Sequence, residues 1–508
     1  MQTAQIFDDV HYGFPLVLAD RRLGKTMCGN SLPLSTGNRG LLERVFSIRS
    51  RHSTVTRELV GSAATFLTLS YILFVQPVVM ALALPDGTPE ADAAVFRASV
   101  LTGLCIGSAV ACMLMGFLAN FPVALAPAMG HNFFFSLVVV KAMGFTWQQA
   151  LAANVVSGAI FLSLSLLGLW APMLDPRKLL FDAIPKGLQN AIGVGIGLLI
   201  ALVGFEYAGI VIPAKGTYVG LGFGKTPWAL IAPVLIGLLV FGVLWARKVV
   251  GSPLWAILAS AAAGWIFGVV EVPKQVVTAP TLSATAFKMD FAGLLHQFQV
   301  HPKAVLVAIA TLLFLDVFDT VGTLAGVCAR AGLITKDGKM DKGVRGAFVA
   351  DAAGTVVGAS LGTSTITSYI EGLAGIHAGA RTGLAAVGVA LLFLAAMFFA
   401  PIFGVVASPN VVTVGGETLF LYPCLAAVLI GIGALMLACV KEINWEDATE
   451  ALPAFLCMIT MPLTFSITDG MAFGFIAYVI LMLCTGRWRD IKPFMALCAI
   501  LLALRYVF

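Results

Sequence analysis

Residues 362–383 read GTSTITSYIEGLAGIHAGARTG. Ser364, Thr365, Thr367 and Ser368 give this run too many hydroxyls and too little apolar mass for a helix that faces lipid, and Gly362, Gly372 and Gly375 weaken a helix further. Bare backbone at membrane depth survives only where protein or a water-filled cavity surrounds it. The run therefore reads as a short extended piece followed by a half-helix that starts near Tyr369, with free N–H groups and a positive dipole end turned toward a ligand. Glu371 falls in the first turn of that half-helix. Simple helix-start electrostatics would also account for an acid there.

The frame around this run is a membrane. The chain has 508 residues, 59% of them hydrophobic and 11% charged, with a mean hydropathy of +0.96. That composition excludes an ordinary soluble protein. Apolar stretches of about 17 to 25 residues, the length that crosses a bilayer as helix, recur to the C-terminus. They are read near 62–82, 98–118, 123–140, 150–171, 185–211, 227–246 and 253–271, and, after a mixed loop at 272–302, near 303–320, 343–360, 364–379, 383–403, 418–440, 452–467 and 470–485. The expected fold is an all-α polytopic membrane protein of fourteen spans, the last two separated at Thr468, Asp469 and Gly470. Residues 1–41 read as a disordered cytoplasmic leader, 42–272 as a first seven-span repeat, 273–302 as an extracytoplasmic connection, 303–485 as a second repeat and 486–508 as a C-terminal apolar segment of open placement.

The formal charge of +5 does not point to nucleic acid, because the basic residues gather in the N-terminal segment and in short connections, where they act as topology signals. Arg44, Arg49, Arg51, Arg57, Arg177, Lys178, Arg247, Lys248, Lys336, Lys339, Lys342 and Arg345 all fall on one side under this count. They place the N-terminus in the cytoplasm and the protein in the cytoplasmic (inner) membrane of the cell. The nine cysteines show no ligand spacing, and neither a metal nor a cofactor is expected.

An odd number of spans per repeat inverts the two halves. Pro185, Gly193 and Gly195 recur at the spacing of Pro423, Gly431 and Gly433, and TFLTLSYILF at 65 aligns loosely with TLLFLDVFDT at 311. Inverted repeats are typical of secondary transporters. In the second of these stretches Asp316 and Asp319 share a helical face with Thr320 and Thr323. A carboxylate at the centre of a spanning helix costs roughly 2.5–3.5 kcal/mol on insertion scales, so lipid is not its neighbour. Capping of a broken helix or pairing with a basic residue competes with a site role, more strongly for Asp316 than for Asp319. Asp351 is left open between pairing with this group and capping a neighbour.

A second interrupted span is expected at 121–139, FPVALAPAMGHNFFFSLVV, where Pro122 and Pro127 forbid regular helix. Asn132 would sit at the half-helix start equivalent to that of Glu371, facing it across the pseudo-axis. An ordinary cap is the plainer alternative. His131 beside the Gly130 turn reads as structural. Gly193 and Gly197 read as a helix-packing pair. Phe133 and Phe134 read first as core, with base stacking as the alternative.

Taken together, RELVGSAATFLTLSYILFVQP, PVALAPAMGHN, FLDVFDTVGTLAGVCARAGL, GTSTITSYIEGLAGIHAGARTGL, PAFLCMITMPLTFSITDGMAFGFIAY and TGRWRDI resemble the purine permeases of the nucleobase:cation symporter-2 family, nearest its adenine/guanine/hypoxanthine (AzgA-like) branch. The resemblance covers roughly residues 42–508. It implies two inverted seven-helix repeats divided into core and gate domains, with the third and tenth spans broken by short strands. It also implies an eighth-span acid at Asp319, a tenth-span acid at Glu371, a third-span asparagine at Asn132, and a dimer. The chain departs from the family at Gln76, where Asn is usual, and at His131, where Leu is usual.

The function expected is proton-coupled uptake of a purine base, adenine, guanine or hypoxanthine. Glu371 would accept from ring N–H groups, Asn132 and the half-helix ends would supply the complementary groups, and Tyr369, Thr323 and Phe133 would complete the substrate site. Asp319 is the expected substrate-linked proton site, with Glu371 beside it in the coupling. A channel or anion carrier on the same fold is the alternative, although acids rather than bases stand at the half-helices. An enzyme is not expected, since no HExxH, GxSxG or Cys–His cluster occurs.

Overall fold

The computed structural model describes residues 41–170, 185–214, 218–273, 275–331, 343–414 and 417–507. Expectations placed on residues 1–40, Arg177, Lys178, Lys336, Lys339 and Lys342 fall outside these ranges. Within them the protein is mostly helical, and nine helices are long and apolar enough to cross a membrane, among them Val55–Ala81, Glu90–Ala119, Lys186–Tyr207, Pro302–Leu324 and Ile467–Cys484. Ser252–Ile266 and Ala448–Thr464 are shorter apolar helices. A helix that is apolar around its whole circumference has no face suited to water, which makes the bilayer the only solvent for this assembly.

The helices pack as two bundles. In the first, Val55–Leu69, Glu90–Leu114, Trp147–Trp170, Pro302–Ala331, Gly343–Ser360 and Gly383–Ala396 lie against one another. In the second, Lys186–Tyr207, Trp228–Ala246, Ser252–Ile266, Pro423–Met436, Ala448–Thr464 and Ile467–Cys484 do so. Lipid offers no hydrophobic drive between helices, so close approach of backbones carries much of the association. Gly197 illustrates it: a Cβ there would lie 2.6 Å from that of Met436. Gly193, its expected packing companion, is different, because a Cβ at that position would meet nothing within 4 Å.

Two interrupted segments cross inside the first bundle. Strand β1 is Leu125–Pro127, β2 is Val211–Ala214, β3 is Tyr218–Leu221, β4 is Ile366–Ser368, β5 is Asn410–Val414 and β6 is Glu417–Leu421. β1 pairs antiparallel with β4 in the register Leu125↔Ser368, Ala126↔Thr367, Pro127↔Ile366. The ladder continues one bond beyond each end, from Ala128 N–H to the Thr365 carbonyl and from Tyr369 N–H to the Ala124 carbonyl, both 3.0 Å. Backbone polar groups with no water must find partners in protein, and here each interrupted chain supplies them to the other. After β1 the chain enters the Met129–Phe133 helix and a π-helical stretch, Phe134–Ala142; after β4 it forms a 3-10 turn, Ile370–Gly372, and the Leu373–His377 helix. The latter is pressed onto the Val55–Leu69 helix, since a Cβ on Gly375 would lie 2.3 Å from Thr65 Oγ1.

Several boundaries differ from the sequence reading; the span read as 303–320, for one, is a helix from Pro302 to Ala331. The span expected to start at 418 starts at Pro423, because residues 417–421 form β6, the partner of β5; the alternating TLFL run suits a strand, and proline suits the first helical turn. The connection at 272–302 contains a helix, Phe291–Val300, capped by Asp290, whose carboxylate accepts from Gly293 N–H at 2.7 Å. The final break lies at Phe465 (φ 51°) and Ser466 rather than at 468–470. Ser466 Oγ caps the following helix by accepting from Asp469 N–H at 3.2 Å, so Asp469 belongs to a first helical turn. Residues 493–507 form a further helix packed on Ile467–Cys484.

Candidate functional site

Asp319 lies midway along the Pro302–Ala331 helix and Glu371 in the 3-10 turn that follows β4. The two elements pack together, and Glu371 lies near enough for its charge to act on Asp319. Tyr71 joins them. It sits at the break between the Val55–Leu69 and Ile72–Ala81 helices, and its hydroxyl donates to Glu371 Oε1 at 3.3 Å. The Tyr369 hydroxyl lies beside that of Tyr71 and donates to the Pro127 carbonyl, which locks the second interrupted segment onto the first.

Asp319 and Gly322 are exposed, Glu371 is half-buried, and Ile370 keeps 53% of its surface. Both acids therefore keep surface accessible to solvent, although Tyr71 and Tyr369 beside them are buried. Thr323 lies one turn beyond Asp319 and is 7% exposed.

A dry polar layer supports this face. Asp351 is fully buried and accepts from Ser368 N–H at 2.7 Å, Ser368 Oγ at 2.6 Å, Thr367 Oγ1 at 3.3 Å and Thr320 Oγ1. The carboxylate thereby holds a backbone donor just ahead of the half-helix, a capping task, and it fixes the backbone from which Glu371 projects. Asp316 points elsewhere: Thr355 Oγ1 donates to its Oδ2 at 2.8 Å while Oδ1 has no partner. One face of a single helix thus carries an acid built into the packing and, three residues on, an acid open to solvent.

The first interrupted segment has another character. Asn132 is fully buried; Ser364 Oγ donates to its Oδ1, and its Nδ2 reaches Met129 Sδ at 3.9 Å. Gln76 Nε2 donates to Thr363 Oγ1 at 2.9 Å and to Ser364 Oγ at 3.2 Å, and Thr365 Oγ1 donates to Asn154 Oδ1 at 2.8 Å. Phe133 is 1% exposed, and His131 is 3% exposed with Nε2 unpartnered. The antiparallel register explains the separation: the half-helix after β1 begins beside Thr365, whereas that after β4 begins beside Ala124. The structure thus gathers Asp319, Glu371, Tyr369 and Tyr71 on one side of the crossing, and ties Asn132 to Ser364 on the other.

Sequence reasoning passed over Tyr71, whose only signal is a lone phenol in the apolar run TLSYILF, and Asn154, an amide within AANVVSG. Among the described residues no three His, Cys, Asp or Glu side chains are placed to share a metal ion. What the arrangement offers chemically is two neighbouring carboxylates, a phenol and a half-helix start, a set of acceptors suited to a neutral ligand that carries N–H donors.

Comparison with known proteins gives three findings. The Permease family model Xan_ur_permease matches residues 56–473. The guanine/hypoxanthine permease PbuG of Bacillus subtilis is 39% identical over 467 residues, covering 92% of this chain and 100% of its own, and the adenine permease AdeP of Escherichia coli is 35% identical over 473 residues, covering 93% and 97%. The transmembrane domain of the cyanobacterium bicarbonate transporter BicA superposes with a TM-score of 0.53 at 14% identity, over 82% of this chain and 96% of that one, a likeness of fold alone.

Proposed function

We propose, from the premise that this chain belongs to the xanthine/uracil permease family, nucleobase:cation symporter-2, that it is a proton-coupled carrier of purine nucleobases and not an enzyme. The observation that carries the reading is the nearness of two solvent-accessible acids, Asp319 and Glu371, on separate elements beside paired interrupted backbone. Relatives named for guanine, hypoxanthine and adenine transport supply the substrate class.

In this reading Glu371, oriented by Tyr71, accepts hydrogen bonds from ring or exocyclic N–H groups, and the 3-10 turn offers backbone donors to ring nitrogens. Tyr369 and Thr323 shape the wall. Asn132 and Phe133 act from behind, through Ser364 and through packing. Asp319 takes up the coupling proton. A protonated Asp319 lowers the cost of moving the loaded site through a low-dielectric interior, since a mid-bilayer charge costs roughly 2.5–3.5 kcal/mol.

The first bundle corresponds to a core domain and the second to a gate, within fourteen spans in two inverted repeats, residues 42–272 and 303–485. The antiparallel β1–β4 pair supports that symmetry, because two equivalent segments related by a two-fold axis in the membrane plane must meet antiparallel. The N-terminus is cytoplasmic in this arrangement, the membrane is the cell's inner membrane, and a homodimer is the proposed assembly. Transport follows from rocking of core against gate.

One observation favours a second reading: the fold is shared with a bicarbonate transporter. An anion carrier or channel would be expected to put a basic group at the half-helix starts, whereas Asp319 and Glu371 stand here. Uptake of labelled hypoxanthine into proteoliposomes with an imposed pH gradient tests the two. Accumulation that collapses with a protonophore supports the purine carrier; bicarbonate flux without purine flux overturns it.

A further inference from the structure

A cavity of about 500 Å3 opens between the two bundles away from Asp319 and Glu371. The π-helical stretch of the first bundle contributes Leu137 and Lys141; the second bundle contributes Glu206, Tyr207, Phe465 and Asp469. Its size falls in the range of small-molecule sites, about 300–1,000 Å3. Three features of its lining point to a ligand.

The Glu206 carboxylate makes no hydrogen bond or ion pair among the described residues. The Tyr207 hydroxyl is also without a partner, on a side chain 7% exposed whose ring rests on that of Tyr422 with centroids 4.7 Å apart. A buried polar group left unpaired costs free energy, which a polar ligand recovers. Phe465, at the corner between the Ala448–Thr464 and Ile467–Cys484 helices, holds the left-handed backbone conformation at φ 51° and keeps 36% of its surface exposed. An aromatic residue rarely adopts that conformation, and strain of this kind gathers at ligand clamps and switch regions. Here it presents a flat apolar face to the cavity. Lys141, on the opposite wall, is paired at 2.5 Å with Asp86, a side chain 97% exposed, so its ammonium is held at the rim by a partner that water screens.

A carboxylate acceptor, a phenol, an ammonium donor and an aromatic face form a set for a neutral planar ring with N–H donors and ring acceptors. With Lys141 facing Glu206 and Asp469, the lining carries no positive excess and does not suit an anion. We propose that this seam is a second, weaker binding site for the same nucleobase class as the Asp319–Glu371 site, an outer loading site in the orientation given above. The inference rests on the purine reading of that first site.

Equilibrium binding of labelled hypoxanthine to purified full-length protein in nanodiscs tests it. Two classes of site are expected, the weaker at least tenfold below the tighter. Glu206→Gln with Tyr207→Phe should remove the weaker class and leave the tighter, and Leu137→Trp, which fills the cavity from its opposite wall, should do the same. Glu371→Ala should weaken the tighter class about 10- to 100-fold and leave the weaker unchanged. A single class in the wild type, or a weaker class unchanged in both cavity variants, overturns the second site while leaving the first in place. No hypoxanthine binding to a folded wild-type protein overturns both.

Discussion

The two interrupted segments use one backbone device for different ends. Each is a three-residue strand followed by a short helical turn, and each satisfies the other's ladder. Around the first, Asn132 and Phe133 are enclosed, and the amide is spent on Ser364. Around the second, Ile370 is exposed and Glu371 is half-buried near an exposed Asp319. The difference lies in what covers each: protein encloses the side chains of the first and leaves those of the second partly open. A broken helix in a membrane is thus a brace or a binding platform according to its neighbours, and pseudo-symmetric position does not make Asn132 and Glu371 equivalent.

The largest effect that would sharpen this contrast is expected from Asp319→Asn. Purine accumulation against a gradient should disappear while exchange of labelled for unlabelled purine persists, as measured in proteoliposomes with and without a pH step. Normal accumulation by this variant removes Asp319 from the coupling.

Glu371→Ala comes next. Loss of a hydrogen bond to a charged group is worth about 1.5–3 kcal/mol, so hypoxanthine should bind about 10- to 100-fold more weakly in equilibrium titrations. Wild-type affinity would mean that the second segment is no platform for the ligand.

Asn132→Ala probes the brace. It leaves the buried Ser364 hydroxyl without its acceptor, a loss of about 1–3 kcal/mol, to be read as a lower melting temperature with substrate affinity little changed. Lost affinity at unchanged melting temperature would place Asn132 in the ligand's own contacts and break the contrast drawn here.

The smallest effect is expected at the membrane rim. Asp447 begins the Ala448–Thr464 helix, and the Thr449 hydroxyl and the Arg487 guanidinium, with Nη1 at 2.8 Å, hold its carboxyl down to about 2. A depressed carboxyl stabilises the fold above its ordinary range near 4, and that contribution is lost as pH falls toward 2. Melting curves between pH 5 and pH 2 should show a slightly shallower decline for Asp447→Asn than for wild type. Identical slopes would mean that this pair contributes nothing measurable, in keeping with exposed ion pairs elsewhere.

Much of this was legible beforehand because the signals were local. Pro122, Pro127 and the hydroxyl run at 363–368 announced the interrupted segments, since proline and unsatisfied backbone act on the residues beside them. Strand β6 reads as the start of a helix because its apolar residues continue the hydropathy of the next span. The last break fell at Phe465 because the Ser466 hydroxyl captured the cap, a competition that turn-forming Asp469 and Gly470 obscured. Tyr71 stayed hidden because nothing near it in the chain distinguishes it from any aromatic residue in a span.

What the sequence by itself determined was the solvent, the class of architecture and the places where helix fails, for composition and proline act without knowledge of distant residues. Only the tertiary structure decided that Asp351 serves the backbone of β4, that Asp316 is absorbed by Thr355, and that Asp319 lies near Glu371. Those outcomes depend on which helices lie side by side. Residues such as Tyr71 and Glu371, 300 positions apart, have no influence on one another until packing makes them neighbours.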